Sequence, residues 1–86
     1  MIVIQISGLA EFPGEVITLR PVNGPTVGIY LAEEGSDIEV CVATMGKGDE
    51  GDWELYDAAT GQKLDRDRQF GDRIEAALSA CVGWGL

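Results

Sequence analysis

The sequence contains no histidine, and this absence excludes several kinds of chemistry. Without an imidazole there is no Ser-His or Cys-His nucleophile pair and no histidine base. The commonest protein ligand for metal ions is also missing.

Only two cysteines are present, Cys41 and Cys81, and both lie in apolar stretches. Two thiolates alone cannot close a tetrahedral zinc site. We therefore expect two free, buried cysteines, with a disulfide between them as the less favoured alternative.

Long apolar runs and an excess of basic residues are absent too. No segment approaches the ~18 apolar residues of a membrane helix, and the apolar segment 2–6 lacks the basic region of a signal peptide. We therefore expect a soluble protein of the cytoplasm, in a bacterial or a host cell.

The sequence has six basic residues and 15 acidic ones, which gives a formal net charge of -9. Such a negative field repels phosphate, so we expect no direct binding to nucleic acid or to a membrane.

The length and the apolar content of the sequence indicate one small globular domain spanning residues 1–86. A chain of 86 residues is too short for two independent cores. Its apolar content of 45% is ordinary for a folded protein and too high for an intrinsically disordered one.

The first three quarters of the chain show the two-residue hydrophobic period of short strands. In 26–32 the residues Val27, Ile29 and Leu31 share one face. In 37–44 the pattern predicts one inward and one outward face. Tight turns are predicted at Asn23-Gly24 and at Gly61. The inward residues of 37–44 are Ile38, Val40 and Val42, and the outward ones are Asp37, Glu39, Cys41 and Ala43. The predicted strands are 2–7, 14–20, 26–32, 37–44, 53–57 and 62–64.

The C-terminal quarter changes to a helical period and ends at Gly83. The predicted fold is therefore α+β, a small antiparallel sheet of about five to six short strands covered by one C-terminal helix. We expect Trp53, Phe70 and one tyrosine in the core. The residues predicted to share the buried face of the helix are Phe70, Ile74, Ala77, Leu78 and Cys81, and its candidate N-caps are Asp65, Asp67 and Asp72.

The acidic residues are concentrated in one segment, from Glu33 to Asp57, which carries -8 of the net charge of -9. Asp37 and Glu39 are predicted to share one face of a strand, and with Glu54 on a nearby strand they would form a ridge of carboxylates. Such a ridge can imitate the phosphates of a nucleic acid and occupy a basic groove of another protein. The alternative is a solvated face that only keeps the domain soluble. The candidate partner-binding residues are Glu33, Glu34, Asp37, Glu39, Asp49, Glu50, Asp52, Glu54 and Asp57.

Two glycine and carboxylate patterns do not predict a ligand. Residues 46–51 match GxGxxG but precede a strand instead of opening a helix, so they do not indicate a dinucleotide site. The same region fails as an EF-hand, because Gly46 and Gly48 stand where side-chain oxygens are needed. So small a sheet also has little room for a deep catalytic pocket. We expect no cofactor, no bound metal and no enzymatic activity.

These features predict a small acidic inhibitor that binds a basic protein and occludes its nucleic-acid-binding surface. In general character it is similar to viral inhibitors of host nucleic-acid enzymes, including phage-encoded anti-CRISPR proteins, although no motif assigns it to such a family. The alternative is a structural or assembly subunit of a larger phage or bacterial complex. That subunit would use a sheet edge and the apolar tail, where Trp84 and Leu86 would form an oligomer interface.

Overall fold

The computed structural model describes residues 3–10, 12–47, 52–64 and 73–83. Six strands form one sheet in chain order, and each strand pairs antiparallel with the next. One helix, α1 (Arg73–Gly83), packs against the third, fourth and fifth strands. The predicted α+β class, with its antiparallel sheet and C-terminal helix, is confirmed. The strands are β1 (Ile4–Ile6), β2 (Glu15–Asn23), β3 (Thr26–Glu33), β4 (Glu39–Lys47), β5 (Trp53–Asp57) and β6 (Lys63–Leu64).

Glycines close the two tight turns that the sequence predicts. Asn23 pairs with Thr26, so the β2–β3 turn contains only Gly24 and Pro25, and Gly24 has a φ of 54°. Gly61, in the β5–β6 hairpin, has a φ of 74°. Both angles lie in the left-handed region that glycine adopts without steric cost.

The core lies on one face of the sheet, beneath the helix. Ile17 pairs with Leu31 and Leu19 with Ile29 across the β2–β3 ladder. Partners in a ladder point to the same side of a sheet, and all four side chains are buried. The predicted inward face of 26–32 is therefore confirmed. Trp53, predicted to be a core residue, packs partly buried against this cluster.

Small residues of the helix make its contact with the sheet. Four of the helical side chains that the structure describes are buried, and their small size allows the helix to approach the strands closely. They are Ala76, Ala77, Ala80 and Cys81. Leu78 is partly buried as predicted, but Ile74 is 42% exposed, so its predicted place on the buried face is wrong. Within the described part of the chain, no helix reaches the length and hydropathy needed to cross a membrane. The predicted helical residue Phe70 and the N-cap candidates Asp65, Asp67 and Asp72 lie outside the described residues.

An irregularity in β4 changes which of its side chains face the core. Ile29 pairs with Ala43 and Tyr30 with Cys41, so Val42 is an extra residue in the ladder, a β-bulge. After the bulge the inward positions shift by one, and Ala43, predicted to face outward, is buried.

The start of β4 also differs from the prediction. The strand begins at Glu39, and Ile38 precedes it with 79% of its surface exposed. Val40 is 45% exposed, whereas Val42 is buried. Of the three residues predicted to point inward, only Val42 is therefore a core residue.

The face of the sheet opposite the core, here called the open face, carries both tyrosines. Tyr30 and Tyr56 alternate with buried neighbours along their strands and are half-buried, so the predicted core tyrosine is absent. Phe12, in the β1–β2 connection, is an aromatic core residue instead. Cys41 pairs with Tyr30 and lies on the open face, whereas Cys81 is buried on the helix. The sheet separates the two thiols, and both are free.

Candidate functional site

The acidic residues of the segment from Glu33 to Asp57 fall into two groups, those with partners inside the fold and those without. Glu39 forms an ion pair with Arg20. Glu54 forms one with Lys63, with 3.3 Å between Oε1 and Nζ. Asp57 accepts hydrogen bonds from the amide and the hydroxyl of Thr60, both at 2.8 Å, which lower the pKa of its carboxyl group. These three carboxylates support local structure.

Arg20, Tyr30 and Glu39 form one assembly on the open face. The guanidinium of Arg20 lies 4.1 Å from the centroid of the Tyr30 ring, in the range of a cation–π contact. The ring in turn lies over Gly28, which leaves room for it because it has no side chain. From this position Arg20 reaches across β3 to Glu39.

A second assembly on the open face contains Glu54, Tyr56 and Lys63. The hydroxyl of Tyr56 donates a 2.8 Å hydrogen bond to Oε2 of Glu54, which raises the pKa of the phenol because its ionised form would lose that bond and face a negative charge. Each of these two assemblies contains one cation and one anion. They therefore add no net charge to the open face.

The predicted ridge of Asp37, Glu39 and Glu54 is not brought together. Glu54 pairs with Gly46, which lies seven positions along β4 from Glu39. At about 3.3 Å per residue, roughly 20 Å of strand separates them. Asp37 lies in a bend before β4 and not on the strand.

The second group of carboxylates forms what we call the acidic end, consisting of Glu15, Glu33, Glu34 and Asp37. Glu15 and Glu33 are directly opposite each other at the start of β2 and the end of β3. The amide of Glu34 donates a 2.8 Å hydrogen bond to the carbonyl of Gly14, which holds the β3–β4 turn against the start of β2. Glu33, Glu34 and Asp37 are exposed.

The cations whose side chains the structure describes all make their contacts elsewhere. Arg20 and Lys63 are in the ion pairs of the open face. The ammonium of Lys47 lies 5.7 Å from the centroid of the Trp53 ring, at the far end of β4. Within the described ranges, no ion pair or side-chain hydrogen bond joins the four carboxylates of the acidic end. Among the side chains that the structure describes, their negative charge therefore has no cationic partner.

Local hydrogen bonds give the loop at the acidic end a defined conformation. The amide of Ser36 donates to the carbonyl of Glu33 at 3.0 Å, and the amide of Ile38 donates to Oγ of Ser36 at 3.1 Å. Gly35 has a φ of 84°, which favours glycine. Together these features close the turn after β3 and hold Ile38 outward.

An apolar groove lies beside these carboxylates. Its volume is about 340 Å³, and it contains the two exposed side chains Ile38 and Val40. Sequence reasoning missed this groove because the alternation in 37–44 assigned both residues to the core. The polar run Glu33-Glu34-Gly35-Ser36 before them was the available signal of a surface turn. The lining residues are Glu15, Leu31, Ala32, Glu33, Ser36, Ile38 and Val40.

The remaining candidate residues lie elsewhere. Asp52 precedes β5 beside Lys47, at the opposite end of β4 from Glu39. The candidate residues Asp49, Glu50, Trp84 and Leu86 lie outside the described residues. In residues 3–10, 12–47, 52–64 and 73–83, no group of three or more cysteine, aspartate or glutamate side chains could hold a metal ion.

Comparison with protein-family models, with curated proteins and with solved structures finds no match for this chain. The candidate site therefore rests on geometry and charge alone. Exposed carboxylates beside exposed aliphatic side chains suit the binding of a protein surface that is both basic and apolar.

Proposed function

We propose that the protein is a binding protein that docks its acidic end onto a basic surface of a partner protein. A surface of that kind commonly serves a nucleic-acid-binding enzyme as its phosphate-binding groove. Occupation by carboxylates would exclude the nucleic acid, so the protein would act as an inhibitor. The observation that carries the proposal is the presence of four carboxylates at one end of the sheet, while Arg20, Lys47 and Lys63, the cations whose side chains the structure describes, make their contacts elsewhere.

The position of Glu15 opposite Glu33 supports a role in binding. Like charges directly opposite each other on neighbouring strands destabilise a sheet. Arg20 and Lys63 neutralise carboxylates on the open face, but no cationic side chain that the structure describes does so here. A local arrangement that lowers stability is typical of functional sites.

The same proposal places the protein in a reducing compartment such as the cytoplasm and assigns it no catalysis. Cys41 and Cys81 are free thiols, as is usual where glutathione keeps cysteines reduced. The carboxylates of the acidic end act in this proposal through their charge, and no cofactor is needed for that.

Two charge-matched double variants test the proposal. Glu33→Gln/Glu34→Gln changes the acidic end, and Asp52→Asn/Glu75→Gln changes two carboxylates away from it, each raising the formal net charge of -9 by two. The wild-type protein is immobilised, partners are captured from the native host, and each is identified and purified. We expect a basic nucleic-acid-binding protein that is released at high salt. Its nucleic-acid binding should be inhibited by the wild type and the control, and at least about tenfold less by the first variant.

Equal inhibition by both variants would contradict the proposal, because the position of the charge would then be irrelevant. Deletion of residues 84–86 tests the assembly alternative in the same assay. Loss of the partner on that deletion, with no effect of Glu33→Gln/Glu34→Gln, would favour an assembly subunit over an inhibitor.

A further inference from the structure

The apolar groove at the acidic end has more exposed aliphatic surface than a charge mimic needs. Ile38 is 79% exposed and Val40 is 45% exposed. Single exposed aliphatic residues are common on protein surfaces. Here, however, the two lie in one groove of about 340 Å³, which is at the small end of the range for ligand sites. A structured loop holds Ile38 in this position.

The rim of the groove restricts what can occupy it. Glu15 and Glu33 line it directly, and Glu34 and Asp37 belong to the adjoining turn. A second copy of this chain that docked through the same surface would bring the same four carboxylates against these, and like charges oppose that contact. A nucleic acid is repelled for the same reason. An occupant that matches both the apolar side chains of the groove and the carboxylates around it has an aliphatic side chain between cationic ones.

We propose that the apolar groove binds a segment of the partner protein in which an aliphatic residue, such as leucine, is flanked by lysine or arginine. The aliphatic side chain contacts Ile38 and Val40, and the flanking cations contact Glu15 and Glu33. This inference rests on the proposed function and specifies the partner's surface as basic and apolar together. It implies that part of the binding free energy is insensitive to salt, because burial of apolar surface is not screened.

Three synthetic peptides of five residues, KKLKK, KKSKK and EELEE, are the probes. Each is titrated into isotopically labelled protein while the methyl and amide NMR resonances are followed. We expect KKLKK to shift the methyl resonances of Ile38 and Val40 and to bind about fivefold or more tightly than KKSKK, which lacks the aliphatic side chain. That difference should persist at high salt, whereas the affinity of KKSKK should fall.

A pair of variants localises the effect. Ile38→Ser/Val40→Thr changes the groove, and Val3→Ser/Val22→Thr introduces the same two polar residues at valines elsewhere that are 53% and 45% exposed. The groove variant should bind KKLKK and KKSKK equally, and the control should keep the wild-type preference. Urea unfolding of both variants verifies that they are folded.

The outcomes separate this inference from the proposed function. Equal affinity of wild-type protein for KKLKK and KKSKK, or a leucine preference retained by the groove variant, would overturn the inference while leaving a purely electrostatic site intact. Binding of EELEE as tight as that of the basic peptides, or no binding of any peptide at about 10 mM, would overturn both. The expected order is KKLKK tightest, KKSKK weaker and EELEE undetectable.

Discussion

At the scale of single residues, Gly28 makes the Arg20–Tyr30–Glu39 assembly possible. A methyl group at this position would lie 2.7 Å from Cε2 of Tyr30 and 2.8 Å from Cγ1 of Val22. The Tyr30 ring would have to move, and the stacked guanidinium of Arg20 would lose its support. We therefore predict that Gly28→Ala lowers the free energy of unfolding by about 1–3 kcal/mol, as measured by urea denaturation.

Gly46→Ala is the matched control for this prediction. Gly46 also lies within a strand of the same sheet, and nothing is within 4 Å of a methyl group placed there. This variant should leave stability unchanged or raise it slightly, because alanine has less backbone freedom to lose on folding. If Gly28→Ala costs as much in a Tyr30→Ala background as in the wild type, the Tyr30 ring is not the cause.

The buried Cys81 thiol makes the free energy of unfolding depend on pH in the alkaline range. Burial, with a smaller contribution from the negative charge of Glu15, raises the pKa of this thiol from its ordinary value of 9.0 to about 11. Between these two values the unfolded chain loses the proton and the folded chain keeps it. The stabilisation is thus complete below pH 9, and we predict that it is lost as the pH rises through 9 to 11.

The measurement is the free energy of unfolding of wild type and Cys81→Ala across this pH range. Tyrosines and lysines titrate in the same window, so the difference between the two proteins isolates the thiol. Wild type should lose stability faster than the variant above pH 9. Parallel curves would show that the thiol ionises equally well in the folded state.

At the scale of the elements, the strands were predictable, whereas the register within β4 was not. A two-residue period was enough to place β3 and its buried face correctly, because β3 is regular where Val27, Ile29 and Leu31 lie. The bulge at Val42 depends on how β3 and β4 pair, and no local pattern in 37–44 specifies it. The apolar groove was missed for a different reason, because Ile38 and Val40 are aliphatic residues with the spacing of a core face but lie at the end of the sheet, before the bulge.

The candidate site was predictable in its charge but not in its location. The concentration of acids between Glu33 and Asp57 is evident in the sequence. Which of them are neutralised depends on distant residues, since Arg20 lies on β2 and Lys63 on β6. Glu15, which completes the acidic end, lies outside the acidic segment and joins it only through the β2–β3 ladder.

One substitution made at two valines of β4 tests where the buried core ends along this strand. The sequence pattern makes Val40 and Val42 equivalent, but they are 45% and 3% exposed. We predict that Val42→Thr lowers the free energy of unfolding by about 1–2 kcal/mol, because it buries a hydroxyl group. Val40→Thr should change it by less than about 0.5 kcal/mol. Similar losses for the two variants in urea denaturation would mean that the core extends along β4 as far as Val40.

At the scale of the whole molecule, the negative charge of the side chains that the structure describes is concentrated at one end. The open face contributes no net charge through its two ion pairs, whereas Glu15, Glu33, Glu34 and Asp37 remain uncompensated among the described residues. Charge gathered in this way lowers stability by self-repulsion and raises the rate of association with a cationic partner. Stability and binding should therefore respond in opposite directions to a change in this charge.

Glu33→Lys separates these two effects. It places a cation opposite Glu15 in the β2–β3 ladder, so we predict that the free energy of unfolding rises by roughly 0.2–1 kcal/mol, with a larger gain at low salt. Glu34→Lys makes the same charge change in the turn, beyond the last pair of the ladder, and should stabilise less. Both variants should lose affinity for a basic partner. A destabilised Glu33→Lys would contradict the pairing of Glu15 with Glu33, because a like-charge pair replaced by an opposite-charge pair can only relieve repulsion there.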